Sequence, residues 1–392
     1  MRTQVAIVGA GPAGMLLSHL LHLQGIESIV LERRSREYVQ QRVRAGVLEQ
    51  GTVDVLREAG VAERLDRQGH PHYGVNVQFD GERLRIPLAE LTDGRSITVY
   101  GQQEVVKDLA DRRDRDGGEV HYEVSDVSIE GPDTERPLVR FTAGDGTSHE
   151  IHCDFVAGCD GFHGVSRSTI PESVRTNYER VYPFGWLGIL AEVPPSSEEL
   201  IYANHANGFA LQSLRSPELS RMYLQCDPQD PIERWPDERI WAELQTRLGT
   251  PGWELREGPV IDKSITALRS FVTEPMSYGR LFLAGDSAHI VPPTGAKGLN
   301  LAVADVARLA EAMTDFYSGN GTSGLDTYSE DCLRRVWRVQ HFSWWMTSMT
   351  HRFDGPDAAF DRRLQRSQFD YLRTSTAAAT TLAENYVGMA EV

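Results

Sequence analysis

The chain has 392 residues, with 40 Lys+Arg against 56 Asp+Glu and a formal net charge of -16. Hydrophobic residues make up 40% and charged residues 24%, a balance that excludes a disordered chain and allows two or three domains with their own cores. The acidic excess repels nucleic acid and bare anionic membranes, so neither is expected as a partner, and an anionic substrate must be met by local arginines.

The first residues, MRTQVAIVGAGPAG, read as a strand and a glycine turn rather than as the charged, apolar and cleavage regions of a signal peptide. No apolar run reaches the roughly 18 residues of a membrane span. The four cysteines, Cys153, Cys159, Cys226 and Cys332, form no Cys-x-x-Cys pair, and are expected to be buried free thiols of a cytoplasmic protein. Residues 3–8 form a β-branched strand, 13–24 an apolar helix ended by Gly25, and 27–32 a second strand, which is a β-turn-α-β unit. Segment 74–87 alternates apolar and polar around Asp80-Gly81 and reads as a hairpin. A helix is expected over 102–115, several strands over 118–156, and strands again over 181–226. Within 209–215, Ser213 and Arg215 share one strand face, with Gln212 and Leu214 on the other. Helical spacing returns at Leu299, Val303, Val306, Ala310 and Met313, and the chain from about residue 324 reads as mainly helical.

Gly9-Ala10-Gly11-Pro12-Ala13-Gly14 sits between a strand and a helix. Gly9 permits the tight turn, Gly11 lets backbone approach a pyrophosphate, and Gly14 lets helix and strand pack closely. Glu32 ends the second strand, where a carboxylate can accept hydrogen bonds from ribose hydroxyls. The motif by itself fits FAD or NAD. A second segment, LFLAGDSAH followed by PPTGAKGLN, offers Asp286 to a ribose hydroxyl and backbone near Gly298 to a ring. The helix starting near Leu299 points its positive end the same way. Arg33, Arg34, Arg36, Arg42 and Arg44 crowd twelve positions after Glu32. Phosphate recognition by some of them is expected, against the ordinary reading of a solvated charged face. Tyr202, Tyr223 and Tyr386, with His72 and His163, are scattered, and the sequence by itself does not bring them together.

These segments, with RAGVLEQG at 44–51, GCDGFHG at 158–164, RVYPFGWLG at 180–188, ELIYANH at 199–205, HIVPPTGAKGLNLA at 289–302, HFSWWMTS at 341–348 and AENYVG at 383–388, resemble the FAD-dependent aromatic hydroxylase family over essentially the whole chain. The likeness is greatest to its 4-hydroxybenzoate 3-monooxygenase branch. The resemblance implies an α/β fold: a discontinuous Rossmann-like FAD-binding domain (1–72, 100–180, 270–320), an interleaved β-rich substrate domain (73–99, 181–269) and a helical C-terminal interface region (321–392). It implies NADPH or NADH as reductant, O2 captured by reduced flavin as a hydroperoxide, 3,4-dihydroxybenzoate as product, and a homodimer.

By the same resemblance Tyr202, Tyr386, His72 and Pro293 are catalytic, Tyr202 holding the ring hydroxyl and Tyr386 and His72 extending a proton path. Ser213, Leu214, Arg215, Tyr223, Pro293 and Thr294 would line the substrate site. Gly9, Gly11, Ala13, Gly14, Glu32, Arg42, Val43, Arg44, Ala45, Gly46, Val47, Gln102, Asp286, Gly298, Leu299 and Asn300 would contact FAD. Arg33, Arg34, Tyr38, Arg44, His163 and Arg269 would contact the nicotinamide coenzyme. Ser287 stands where the family pattern has alanine. Two other readings remain at this point: the same fold acting on 4-aminobenzoate or another hydroxybenzoate, and a non-catalytic flavin-binding sensor.

Overall fold

The computed structural model describes residues 1–41 and 46–389; Arg42, Val43, Arg44 and Ala45, all expected cofactor contacts, lie outside the described residues. At the centre, Val5–Val8 pairs in parallel with Ser28–Leu31 on one side and Phe155–Gly158 on the other. Leu281–Leu283 and Glu119–His121 extend this sheet in parallel, and Ser277–Tyr278 closes one edge antiparallel. The central strands VAIV and FVAG are buried at every position, as a parallel sheet covered on both faces requires. Pro12–Leu23 and Gly298–Tyr317 pack against each other over it. The β-turn-α-β unit, the helix over Gln102–Arg115 and the strands that follow it stand where the sequence places them.

A second, eight-stranded sheet runs in the order His289–Ile290, Val260–Glu274, Thr176–Ala191, Leu219–Cys226, Ala210–Ser216, Ile201–Asn204, Val75–Phe79, Glu82–Ile86. Its edge is the expected hairpin, turned by Asp80 (φ 46°) and Gly81 (φ 81°), the two left-handed residues of a tight primed turn. One face packs on a helix, Asp237–Leu248, that the strand-rich reading of this stretch does not anticipate. The helix buries Ile240, Trp241, Leu244 and Leu248 against Leu187, Ile189, Ile201, Ala203, Met222 and Leu224, an apolar stripe at helical spacing. The opposite face carries Tyr202 and Leu211 into a cluster with Phe342, Met346 and Tyr386 from the C-terminal helices Ser323–Thr350 and Thr376–Val387. All four cysteines are free and buried.

Candidate active site

The glycine turn forms first, from backbone sterics. Gly9 adopts φ 106°, and a side chain there would meet the Cys159 carbonyl. A Cβ on Gly14 would lie 1.9 Å from the Gly9 carbonyl oxygen, so helix and strand approach as closely as the sequence predicts. Gly11 has nothing within 4 Å of a Cβ and an ordinary φ of -69°; its smallness leaves room in the groove. Glu32 accepts from the amides of Ala10 (2.9 Å) and Arg34 (2.8 Å), which fixes its carboxylate at the mouth of the turn. Gly9, Gly11, Ala13, Glu32, Arg33, Arg34, Tyr38, Gln102, Asp286, Gly298 and Leu299 together line one groove of about 300 Å³.

Two helices start at this groove, at Pro12 and at Gly298, and among the described residues neither start is capped by a side-chain hydrogen bond. Their first N–H groups and positive dipole ends are left for an anion. Two open helix starts, a glycine turn with space at Gly11 and a ribose-height carboxylate fit a dinucleotide such as FAD. Asn300 enters differently than expected. Its side chain bonds the carbonyls of Val47 and Ala296 and receives the Glu49 amide and the Thr52 hydroxyl, so it anchors Val47–Glu49 and leaves only backbone to a cofactor. Gly46 lies close against the Tyr100 carbonyl. Ser287 accommodates its extra oxygen by donating to the Gly158 carbonyl at 2.6 Å.

The groove continues through Gln102, Asp286, Gly298 and Leu299 into a cavity of about 510 Å³. Val47, Trp186, Arg221, Tyr223, Arg269, Pro293, Ala296 and Lys297 also line it. Sheet register explains what stands beside it. Directly opposed residues run across five adjacent strands as Val77, Tyr202, Leu211, Tyr223 and Gly188, so Tyr202 and Tyr223, 21 positions apart in sequence, share one face two strands apart. Ser213 opposes Arg221 in the neighbouring row of that face. Tyr202 and Ser213, both buried, and half-buried Arg215 stand beside the cavity lining rather than in it. Leu214 joins the apolar cluster of Tyr202 and Tyr223, next to a register shift between Leu214 and Ser216 where strict alternation ends.

Charge concentrates at the Tyr223 end. Arg215 reaches the Tyr223 hydroxyl at 3.4 Å, Arg221 lies over the Tyr223 ring at 5.2 Å, and Ser213 donates to the Arg221 carbonyl at 2.8 Å. Burial pushes the Tyr223 phenol up, but Arg215 and Arg221 outweigh it and hold it below its ordinary value. The Nε of Arg215 and of Arg221 are buried with no hydrogen-bond partner among the described residues. Buried donors left open beside a cavity are what an incoming carboxylate satisfies. Sequence reasoning missed Arg221; the signal was its spacing of two from Tyr223 on one strand, which puts both on one face.

At the other end, the Tyr202 and Tyr386 hydroxyls meet at 2.7 Å, both nearly inaccessible. Burial raises both phenols above their ordinary value, so both stay protonated near neutrality. Tyr386 also presents its carbonyl to Lys297 at 3.0 Å, and Lys297 pairs with Glu49. Thr294 is held by Thr347 at 2.9 Å. His72 is buried with neither ring nitrogen bonded among the described residues, and burial pushes it down to about 4. The structure thus joins Tyr202 to Tyr386 directly and shows no direct bond from either to His72. Elsewhere, His163 and Arg269 both pack on Phe162, at 5.0 Å each, and Arg34 lies over Tyr38 at 5.0 Å. Arg36 is held by Asp111 and Asp114, whereas Arg33 and Arg34 stand exposed at the groove. Among the described residues no His, Cys, Asp or Glu cluster could hold a metal ion, and no helix is long and apolar enough to cross a membrane.

Residues 2–343 match the family model described as FAD binding domain. The chain is 51% identical over 390 residues to a p-hydroxybenzoate hydroxylase from Acinetobacter baylyi, covering 99% of this chain and 96% of that one. A probable NADH-specific resorcinol 4-hydroxylase from Rhodococcus jostii is 28% identical, over 83% of this chain and 62% of its own. In fold, the p-nitrophenol 4-monooxygenase PnpA from Pseudomonas putida superposes over the full length of both chains with a TM-score of 0.83 at 20% identity. The chain therefore belongs to the FAD binding domain family, within its branch of flavin-dependent aromatic hydroxylases that includes the p-hydroxybenzoate hydroxylase.

Proposed function

We propose that the chain hydroxylates 4-hydroxybenzoate at the carbon next to its ring hydroxyl. One O2, one NAD(P)H and one proton are consumed, and 3,4-dihydroxybenzoate, water and NAD(P)+ are formed. FAD along the groove supplies the chemistry that accepts hydride and activates O2. The observation that carries the reading is the single sheet face with a carboxylate-seeking end at Arg215, Arg221 and Tyr223 and a hydroxyl pair at Tyr202 and Tyr386. Two strand spacings, roughly 10 Å, leave room for one benzoate ring bonded at both ends. Tyr202, kept neutral by burial, donates to the ring oxygen and so favours its ionised form, the form that reacts with an electrophilic oxygen. The ring proton passes along the pair, Tyr202 and Tyr386 each giving up their own hydroxyl proton as they receive one, and His72, an uncharged imidazole, is the outer group that takes the proton toward solvent. Pro293 and Thr294 complete the wall at that end.

The exposed Arg33 and Arg34 beside Glu32 support NADPH binding over NADH, and His163 with Arg269 about Phe162 supports binding of the nicotinamide coenzyme in either form. Separate apolar clusters under the two large sheets support a discontinuous FAD-binding part (1–72, 100–180, 270–320) and an interleaved β-rich part (73–99, 181–269), while the helical region 321–392 is divided between them, Leu325, Tyr328, Cys332 and Val336 joining the first cluster and Phe342, Met346 and Tyr386 the second. Exposed Trp337, Trp344, Phe360, Leu364 and Tyr371 on the C-terminal helices support a homodimer formed through that region. The test is a panel of benzoates scored for NAD(P)H oxidation and for hydroxylated product together. Near-stoichiometric 3,4-dihydroxybenzoate from 4-hydroxybenzoate supports the proposal. Oxidation without product, or better coupling with 4-aminobenzoate, contradicts it.

A further inference from the structure

His351 lies just past the end of the long helix Ser323–Thr350 and is wholly buried. Its ring is sandwiched between Phe184, at 4.7 Å and 11°, and Phe209, at 4.3 Å and 17°. Its Nδ1 stands 3.1 Å from the Thr347 carbonyl, and its Nε2 receives the indole N–H of Trp186 at 2.7 Å. A carbonyl can only accept, so Nδ1 carries the proton and Nε2 offers its lone pair; the tautomer is fixed by its neighbours. Burial pushes His351 down to about 3, which keeps it neutral. Trp186 in turn lines the cavity and lies 4.8 Å from the Tyr223 ring. Thr347 has a second role: its hydroxyl holds Thr294, whose neighbour Pro293 lines the cavity.

We infer that His351 is a positioning residue that sets the carboxylate end of the substrate site. It fixes the orientation of the Trp186 indole through its N–H, Trp186 supports the Tyr223 ring, and Tyr223 presents its hydroxyl beside Arg215. Through Thr347 the same helix end ties this wall to the Pro293-Thr294 wall, so the distance between the two is set from one point. With its only N–H turned to His351, Trp186 offers the cavity a purely apolar face. The site therefore selects a flat aromatic ring whose polar groups lie at its two ends. This inference rests on the proposed function for the identity of the ligand.

Two variants test it in the flavin-loaded enzyme. His351→Phe keeps the aromatic stack and removes the acceptor; His351→Gln places an oxygen near the Nε2 position. In His351→Phe the dissociation constant for 4-hydroxybenzoate should rise about tenfold, the loss of one buried hydrogen bond, with FAD content unchanged. His351→Gln should recover most of that loss. The Trp186 indole N–H resonance, assigned with Trp186→Phe, should shift in His351→Phe and return toward its original position in His351→Gln. Wild-type protein that binds 4-hydroxybenzoate while His351→Phe binds it equally, with an unmoved indole resonance, overturns the inference alone. Wild-type protein that binds no 4-hydroxybenzoate overturns the proposed function and the inference with it. A His351→Phe protein that does not fold transfers the test to His351→Gln and His351→Leu, and equal affinity and equal indole resonance in those two overturn the inference.

Discussion

The dinucleotide groove and the substrate face solve recognition in opposite ways. The groove is made of backbone: a glycine turn, two open helix starts, and a carboxylate fixed by two amides. The proposed substrate face is made of side chains from distant strands, with guanidiniums and phenols buried or half-buried and held by one another. A backbone site tolerates change in most side chains but no added atom at its few close approaches. A buried polar face tolerates changes of bulk better than the loss of any one donor.

The largest effect should come from breaking the groove where it has no slack. Gly14→Val must push the helix off the Gly9 carbonyl and should remove nearly all bound flavin along with stability, read by flavin absorbance per chain and by thermal unfolding. Gly11→Ala separates the two losses: its methyl meets no protein atom, so stability should hold while FAD affinity falls about tenfold or more. If Gly11→Ala binds FAD normally, the groove is not where the pyrophosphate lies.

On the substrate face, Arg215→Lys replaces a planar fork by a point charge and should weaken 4-hydroxybenzoate binding by about 2–4 kcal/mol, measured by flavin fluorescence titration. An unchanged dissociation constant would remove Arg215 from the site.

His72, on the strand His70–His72 of a separate three-stranded sheet, is tested through pH. Its folded value, about 4, lies below the 6.5 of an unrestrained imidazole, so the unfolded chain binds the proton more readily. The penalty is absent above pH 6.5 and grows as pH falls toward 4. Between about pH 7 and pH 4, wild type should lose about 3 kcal/mol more stability than His72→Gln, in denaturant titrations at each pH. Parallel losses would mean that water reaches His72 in the folded protein.

The smallest effect belongs to the groove rim. Replacing Arg33 and Arg34 together with neutral residues should raise KM for NADPH a few-fold more than KM for NADH, because exposed charges contribute only about 1 kcal/mol each. Equal effects would mean that these arginines do not read the additional phosphate.

The same contrast governs how much the sequence discloses. Gly9 to Gly14, Glu32, the Asp80-Gly81 hairpin and the helix at Gly298 are legible because each depends on neighbours along the chain. Ser213 and Arg215 are legible as a shared strand face. Their meeting with Tyr223, the pairing of Tyr202 with Tyr386 and that of Lys297 with Glu49 depend on strand order and helix docking, which no local pattern encodes. The helix Asp237–Leu248 is legible in its own apolar spacing at Ile240, Trp241, Leu244 and Leu248 between Pro236 and Gly249, and is missed by assigning residues 181–269 to a β-rich domain as one block. Arg221 was readable by alternation from Tyr223, and is missed by reasoning that follows only family motifs.

The central claim is that the neutral Tyr202–Tyr386 pair relays the proton away from the substrate's ring hydroxyl, and that oxygen transfer depends on it. Tyr202→Phe deletes one hydroxyl and leaves the packing. The direct measurement is product formed per NAD(P)H consumed with saturating 4-hydroxybenzoate, alongside the absorbance spectrum of the bound substrate. Wild type should couple the two nearly one to one, with its substrate largely ionised. Tyr202→Phe should still bind substrate through Arg215 and consume NAD(P)H, but hold the ring as a neutral phenol. Its hydroxylation step should slow by about 10²–10⁴-fold, so that hydrogen peroxide replaces 3,4-dihydroxybenzoate. Near-stoichiometric product from Tyr202→Phe, with the bound substrate still ionised, would contradict the account.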